Sequence, residues 1–233
     1  MLWATVAEAA MFDYPKQAEF NRPVPKNKIY GYAKPTRAIR ERFVSQVSEI
    51  VWKYKLAPET VNLPAKASVH EIQVFEMALK TGELAEEVLR TMDKAIPSLL
   101  FFELTFEDRV RFAAAYKRPN EANSRKNVVE AYFETPWQSS NKSRPTLPVA
   151  LDLAGLYEQM LRQHMLASPM ALVGRHGEGL QAMADRASLI RSKENECRQL
   201  EARIKKEIQF NRKVELNSKL RAHRSELAQL QQQ

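Results

Sequence analysis

The clearest alternation of apolar and polar residues lies in the middle of the chain, between residues 69 and 134. Runs rich in valine, isoleucine and phenylalanine favour a pleated backbone, and four such runs occur here: 69–79, 99–105, 110–116 and 128–134. Between the first two runs, leucine, valine and methionine recur at helical spacing over residues 81–95. This pattern predicts an α+β fold whose sheet is mostly antiparallel, four-stranded and flanked by helices.

The residues before this sheet predict an arm and a helix. Four prolines in residues 12–35 disfavour helix and indicate an extended arm, in which cations alternate with Phe20, Tyr30 and Tyr32. Thr36 is a predicted helix cap. The apolar residues that follow it lie at helical spacing and predict one buried helical face as far as Tyr54.

The residues after the sheet predict a second, helical part. A helix capped by Asp152 completes an α+β domain at 12–166, and a linker is expected at 167–179. Residues 180–233 contain no proline or glycine, and predict a coiled-coil-like long helix or helical hairpin. Its narrow apolar seam suits a partner helix, and the predicted partner-binding residues are Leu200, Ile204, Ile208, Val214, Leu220 and Leu227. Residues 1–11 are expected to be a dispensable extension.

The formal net charge of +8 is concentrated at the two ends of the chain. Residues 12–55 hold ten Lys or Arg against four Asp or Glu, whereas residues 56–175 hold fourteen against fifteen. Residues 176–233 are again basic, with twelve against eight. Basic flanks favour a polyanionic partner such as nucleic acid, although they also occur as solvated faces. The predicted contacts are Lys16, Arg22, Lys26, Lys28, Arg37, Arg40, Lys117, Arg118, Arg125 and Lys126.

Several function classes lack support in the sequence. The single Cys197 excludes a disulfide framework, and the four histidines show no metal-ligand spacing, so no metal and no cofactor are predicted. No apolar stretch is long enough to span a membrane, and a cytoplasmic location is expected. No catalytic residue is assigned, and an enzyme is not the favoured interpretation.

One enzymatic alternative stays open, a nuclease that depends on a divalent metal. Such a site needs carboxylates near a lysine, and the candidates are Glu71, Glu76, Glu103 and Lys117. The alternative predicts that these groups converge within a few ångström. The competing interpretation of the same residues is a set of ion pairs at strand ends.

Several segments resemble a bacterial family classed as a domain of unknown function. They are FDYPKQAEFNRPVPKNKIY, RERFVSQVSEIVWKYKLAPETVNLPA, EIQVFEMALKT with DKAIP, AAYKRPNEA, AYFETPW and LEARIKKEIQFNRKVELNSKLR. The resemblance implies a gene neighbourhood that holds SNF2-type or DEAD-box helicases and DNA methyltransferases, as in restriction-like or antiphage systems. It supplies no catalytic residues.

The leading hypothesis is therefore a non-enzymatic accessory subunit of a DNA-processing defence complex. Its basic flanks would contact nucleic acid, and its C-terminal helices would contact a helicase or a DNA methyltransferase or associate with a second copy. A purely protein-binding scaffold, whose positive charge meets an acidic partner, is the third hypothesis.

Overall fold

The computed structural model describes residues 12–66, 69–120, 123–169, 175 and 177–232, except for the side chains of 119–127 and 232. Residues 1–11, residues 170–174 and 176 of the predicted linker, and the side chains of Arg125 and Lys126 lie outside the described residues. The chain forms two compact units that divide after Ser168. The first contains the sheet, and the second contains two long helices.

Among the described residues, seven strands form one mixed sheet, so the prediction of a mostly antiparallel, four-stranded sheet is wrong. The strands are β1 (Glu19–Pro23), β2 (Val47–Leu56), β3 (Ile72–Leu79), β4 (Leu99–Phe106), β5 (Arg109–Asn120), β6 (Asn123–Glu134) and β7 (Gln138–Ser139). They lie in the order β1-β2-β3-β4-β5-β6, with β7 paired to β5. β3 and β4 are parallel, because the helix that joins them returns the chain to the starting end of the sheet.

The helices of the first unit are α1 (Lys26–Ala33), α2 (Arg37–Gln46), α3 (Pro58–Val61), α4 (Glu86–Ala95) and α5 (Leu153–Ala167). The predicted caps are confirmed: the Thr36 hydroxyl accepts from the Ile39 amide, and the Asp152 carboxylate accepts from the Gly155 amide. The predicted helix from Thr36 to Tyr54 is wrong in its second half. Residues 47–56 form β2 instead, because they pair with β3 along their length.

The predicted extended arm is also only partly extended. Residues 19–23 form β1, which pairs with β2, and residues 26–33 form α1. Pro25 directly precedes α1, at a position where the missing N–H of a proline costs the helix nothing. The arm is therefore folded onto the edge of the sheet.

The sheet is covered on both faces. On one face Phe75, Met77 and Phe102 form a core with Val88 and Met92 of α4, and residues of α1 and α2 join it. On the other face α5 packs its Tyr157 and His164 against Phe101. Alternate residues of β3 and β4 therefore face α4 and α5 in turn. This alternation determines on which face of the sheet each charged residue of these strands lies.

The second unit consists of α6 (Leu180–Lys206) and α7 (Phe210–Gln232), which fold back on each other. Side-chain contacts join the helices in antiparallel order: Lys193 forms an ion pair with Glu226 at 2.8 Å, and the His223 Nδ1 lies 2.9 Å from the Glu196 carboxylate. No helix among the described residues is long and apolar enough to cross a membrane.

Candidate nucleic-acid interface

A cleft of about 360 Å³ opens on the α4 face of the sheet, and the folded arm forms much of its wall. β1 and α1 supply one side, β2 and β3 supply the floor, and the end of α4 supplies the other side. Its lining residues include three aromatic rings of β1–β3, the exposed Tyr32 of α1, and two cations, Arg22 and Lys28. The cleft therefore combines flat apolar rings with positive charge.

The aromatic rings of the cleft form a packed row. The Phe20 and Trp52 ring centroids are 4.2 Å apart, and those of Trp52 and Phe75 are 6.0 Å apart. The guanidinium of Arg22 lies over Phe20, 4.4 Å from its centroid. The Trp52 indole donates to the Tyr54 carbonyl at 3.0 Å, which fixes the indole in this row. The three packed rings thus form part of the cleft lining, and the Arg22 guanidinium lies over the ring at one end of the row.

Arg22 and Lys28 are the predicted contacts that lie in the cleft. Both are exposed, and neither forms an ion pair with any acidic residue in the part of the chain that the structure describes. Lys16 is also exposed and without such a pair. Unpaired exposed cations keep their charge available for a phosphate.

The other predicted cations of the arm region are less available. The Lys26 ammonium donates to the Val47 carbonyl at 2.6 Å, close to the end of α2. Burial, and next the charge of Lys80, lowers the pKa of Lys26. Arg37 forms an exposed ion pair with Glu41, and Arg40 lies over the Tyr30 ring.

Lys117 and Arg118, the two cations of the predicted basic loop at 117–126 whose side chains the structure describes, both form ion pairs. The Lys117 side chain is only 3% exposed and forms an ion pair of 2.5 Å with Asp93 of α4. The Tyr132 hydroxyl donates to the same carboxylate. Arg118 pairs with Glu130 at 2.5 Å. Lys117 is thus an interior group, and a phosphate in solvent cannot reach it.

The four residues of the nuclease alternative fall into two groups on opposite faces. Glu76 and Glu103 are register partners on the α5 face, where Glu76 pairs with Lys53 and Glu103 binds Arg144 through contacts of 2.9 and 3.3 Å. Burial raises the pKa of Glu103. Lys117 lies on the α4 face, and Glu71 binds Ser98 near it.

The expected convergence of the nuclease residues is therefore absent, and each carboxylate has a cation or hydroxyl partner of its own. The described residues contain no group of three or more side chains that could hold a metal ion.

The predicted partner-binding seam divides between the interior and the tip of the helical hairpin. Leu220 is buried, and Leu200, Ile204 and Leu227 are half-buried in the second unit. Ile208, in the turn between α6 and α7, is 95% exposed, and Val214 is also exposed. Phe210, which was not among the predicted residues, is 77% exposed beside them.

Sequence reasoning did not assign Trp52, Gln73 or Phe75 to the cleft. Trp52 lay in the part of the chain predicted as helix, and Gln73 lay in the predicted strand at 69–79, where no function was assigned to it. A strand prediction for residues 47–56 would have placed Trp52 beside Phe75, its register partner.

The fold and the cleft define an α+β protein with a mixed, doubly covered sheet, a helical hairpin, and a cationic aromatic cleft at the sheet edge. The model of the family described as Domain of unknown function (DUF4391) matches residues 12–227. The chain belongs to this family. Comparisons with curated proteins and with solved structures found no match.

Proposed function

We propose that this protein is a non-enzymatic accessory subunit of a DNA-processing complex of the restriction-like or antiphage kind, and that it binds nucleic acid through the cationic aromatic cleft. The observation that carries the proposal is the placement of Arg22 and Lys28 on a cleft lined by aromatic rings. Both cations are exposed and have no acidic partner among the described residues. Proteins that bind single strands combine these two features, because cations attract the phosphates and rings stack on bases.

The neighbouring surface supports the same role. Lys16, Lys28 and Lys34 are exposed, and each lies in α1 or within a few residues of β1 or α1, the two elements that flank the cleft. One contact between a lysine and a phosphate is weak in water. Several such contacts together release several of the counterions bound to a nucleic acid, and this release favours binding. The proposed binding is thus weakly selective for sequence and strongly dependent on salt.

The first test measures binding of the full-length protein to a fluorescently labelled single-stranded 12-mer across a range of salt concentrations. If about five cations contact phosphates, log K falls with log salt at a slope of about −3.5 for a single strand. Arg22→Ala and Lys28→Ala each reduce the size of that slope by about 0.7.

The matched control is Arg162→Ala, which removes one positive charge from α5 on the opposite face, where Arg162 pairs with Glu158. It leaves the slope unchanged. A flat salt dependence of the wild-type protein, or equal effects of all three variants, would show that the cleft does not bind nucleic acid.

The accessory role requires a second surface, and the turn of the helical hairpin is the candidate. Ile208 and Phe210 expose apolar side chains there, flanked by Lys205, Lys206, Arg212 and Lys213. The proposed partner is the helicase or DNA methyltransferase that the family resemblance implies. Purification of the tagged protein from its native cell, followed by mass spectrometry, tests this directly. Recovery of the protein alone would contradict the accessory role.

A further inference from the structure

Tyr32 is the aromatic residue of the cleft with an open ring face. Phe20, Trp52 and Phe75 already contact one another: the Phe20 ring is tilted by 43° against Trp52, and Trp52 is stacked on Phe75. Tyr32 lines the same cleft but is 77% exposed, and it makes no ring contact with the described residues. An exposed ring on the wall of a cleft gains contact area if a flat ligand covers it.

Gln73 is one of the residues that line the cleft, and its side chain carries a hydrogen-bond acceptor that has no donor among the described residues. Its amide nitrogen donates to the Glu71 carboxylate and lies 3.2 Å from the Ser98 hydroxyl. Because an ionised carboxylate can only accept, the amide nitrogen must point toward Glu71. The amide oxygen, Oε1, is buried and has no donor among the described residues.

Glu71 is held in place by two further contacts. The Ser98 hydroxyl donates to it at 2.7 Å, and the Lys55 ammonium lies 3.7 Å from its second oxygen. The orientation of the Gln73 amide is thus set by its neighbours before any ligand arrives. Because Oε1 is buried, the side chains that cover it must shift slightly before a ligand in the cleft can reach it. An N–H group on the edge of a flat ring then supplies the donor that Gln73 lacks.

From these features we infer that the cleft holds a single unstacked nucleotide. The base stacks on Tyr32 with one N–H directed to Gln73, and Arg22 and Lys28 bind its phosphate. The volume of about 360 Å³ falls in the range of sites for small ligands. This inference rests on the proposed function in one respect: the bound nucleotide is part of a nucleic-acid strand.

The test compares a single-stranded 12-mer with a strand of the same length in which every nucleotide is abasic. The abasic strand keeps the phosphates and removes the rings. Wild-type protein binds the strand with bases about tenfold more tightly, since stacking of one base is worth about this factor. Tyr32→Ala removes this difference and leaves the salt slope unchanged, whereas Tyr32→Phe retains the difference.

Gln73→Met serves as the second variant, because it keeps the side-chain volume and removes the amide. It weakens binding of the strand with bases several-fold and does not affect the abasic strand. Equal affinity of wild-type protein for the two strands would overturn the inference, while a steep salt slope in the same titrations would leave the proposed function standing.

Free deoxyadenosine monophosphate, titrated by equilibrium dialysis, distinguishes the two sources of the nucleotide. Competition by the mononucleotide that is lost in Tyr32→Ala supports the cleft assignment. If the mononucleotide binds in this Tyr32-dependent way but no strand binds, the cleft assignment holds and the proposed function is wrong. If neither the mononucleotide nor a strand binds, both are wrong.

Discussion

At the scale of single residues, His164 shows how strongly burial in the apolar interior shifts the pKa of a titratable side chain. It lies on α5, surrounded by the rings of Phe12, Phe101 and Phe112. Its Nδ1 is 2.9 Å from the Met160 carbonyl. Burial lowers the pKa of His164 from 6.5 to about 4. His164 is therefore neutral in the folded protein and contributes to the core.

This pKa predicts a pH dependence of stability. Below about pH 6.5 the unfolded chain protonates His164 while the folded protein does not, so unfolding takes up a proton. The free energy of unfolding then falls as the pH falls from about 6.5 to about 4. Between pH 7 and pH 5 the wild-type protein loses about 2 kcal/mol more than His164→Leu, as measured by urea unfolding. Parallel losses in both proteins would contradict the assignment.

The interior ion pair of Lys117 and Asp93 predicts that replacing only one of the two residues destabilises the protein. Their side chains are 3% and 2% exposed, so either charge left alone would be poorly solvated. Asp93→Leu should lower the free energy of unfolding by about 3–5 kcal/mol. The double variant Asp93→Leu/Lys117→Met should lose less, because no unpaired charge remains.

Urea unfolding of both variants checks this prediction. Glu86→Ala is the control, since it breaks an exposed pair with Arg90 and costs less than about 1 kcal/mol. A loss in Asp93→Leu as small as that of the control would show that the pair is not needed for stability.

At the scale of elements, the predicted strand runs 99–105 and 110–116 form the β4–β5 hairpin, and its turn offers a stabilising substitution. The two-residue turn places Glu107 at a φ of 52°, a left-handed conformation that costs most side chains free energy. Glu107→Gly should therefore raise the free energy of unfolding by about 0.5–1 kcal/mol. Asp108→Gly, at a position without positive φ, should lower it. Urea unfolding of the pair checks the prediction, and the opposite order would contradict it.

The boundary between α2 and β2 shows where local pattern was insufficient. Ile39, Phe43, Val47 and Ile50 recur at helical spacing, yet only the first two lie in a helix. Val47 and Ile50 are equally compatible with a strand, and their pairing with Leu79 and Met77 decides the matter. Hydrogen bonds to a distant strand outweigh a helical preference of a few tenths of a kcal/mol per residue.

At the scale of the whole molecule, the cleft belongs to the first unit and the exposed turn at Ile208 to the second. The two proposed activities should therefore be separable. Ile208→Ser/Phe210→Ser should abolish recovery of the partner and leave binding of the single strand unchanged, whereas Arg22→Ala/Lys28→Ala should do the reverse.

Leu189→Ser is the control for the variant at the turn, because Leu189 is exposed elsewhere on α6. Affinity purification followed by mass spectrometry measures one activity, and fluorescence anisotropy measures the other. If either double variant abolished both activities, the two surfaces would not be independent.

The sequence by itself determined those features that depend on near neighbours in the chain. These are the caps at Thr36 and Asp152, the β4–β5 hairpin, the amphipathic α4 and the long helices without proline or glycine. Each depends on residues within a few positions of one another, so composition and spacing suffice to predict it.

Only the tertiary structure decided the number of strands, the parallel pairing of β3 with β4, and which cations remain exposed. Lys117 and Lys28 look alike in the sequence. In the structure Lys117 is buried and paired with the Asp93 carboxylate, whereas Lys28 is exposed and pairs with no acidic residue of the described chain. Likewise, Phe20, Trp52, Gln73 and Tyr32 line one cleft because β1, β2, β3 and α1 meet there. Such contacts join residues far apart in the chain, and their free energy depends on burial and pairing that no local pattern contains.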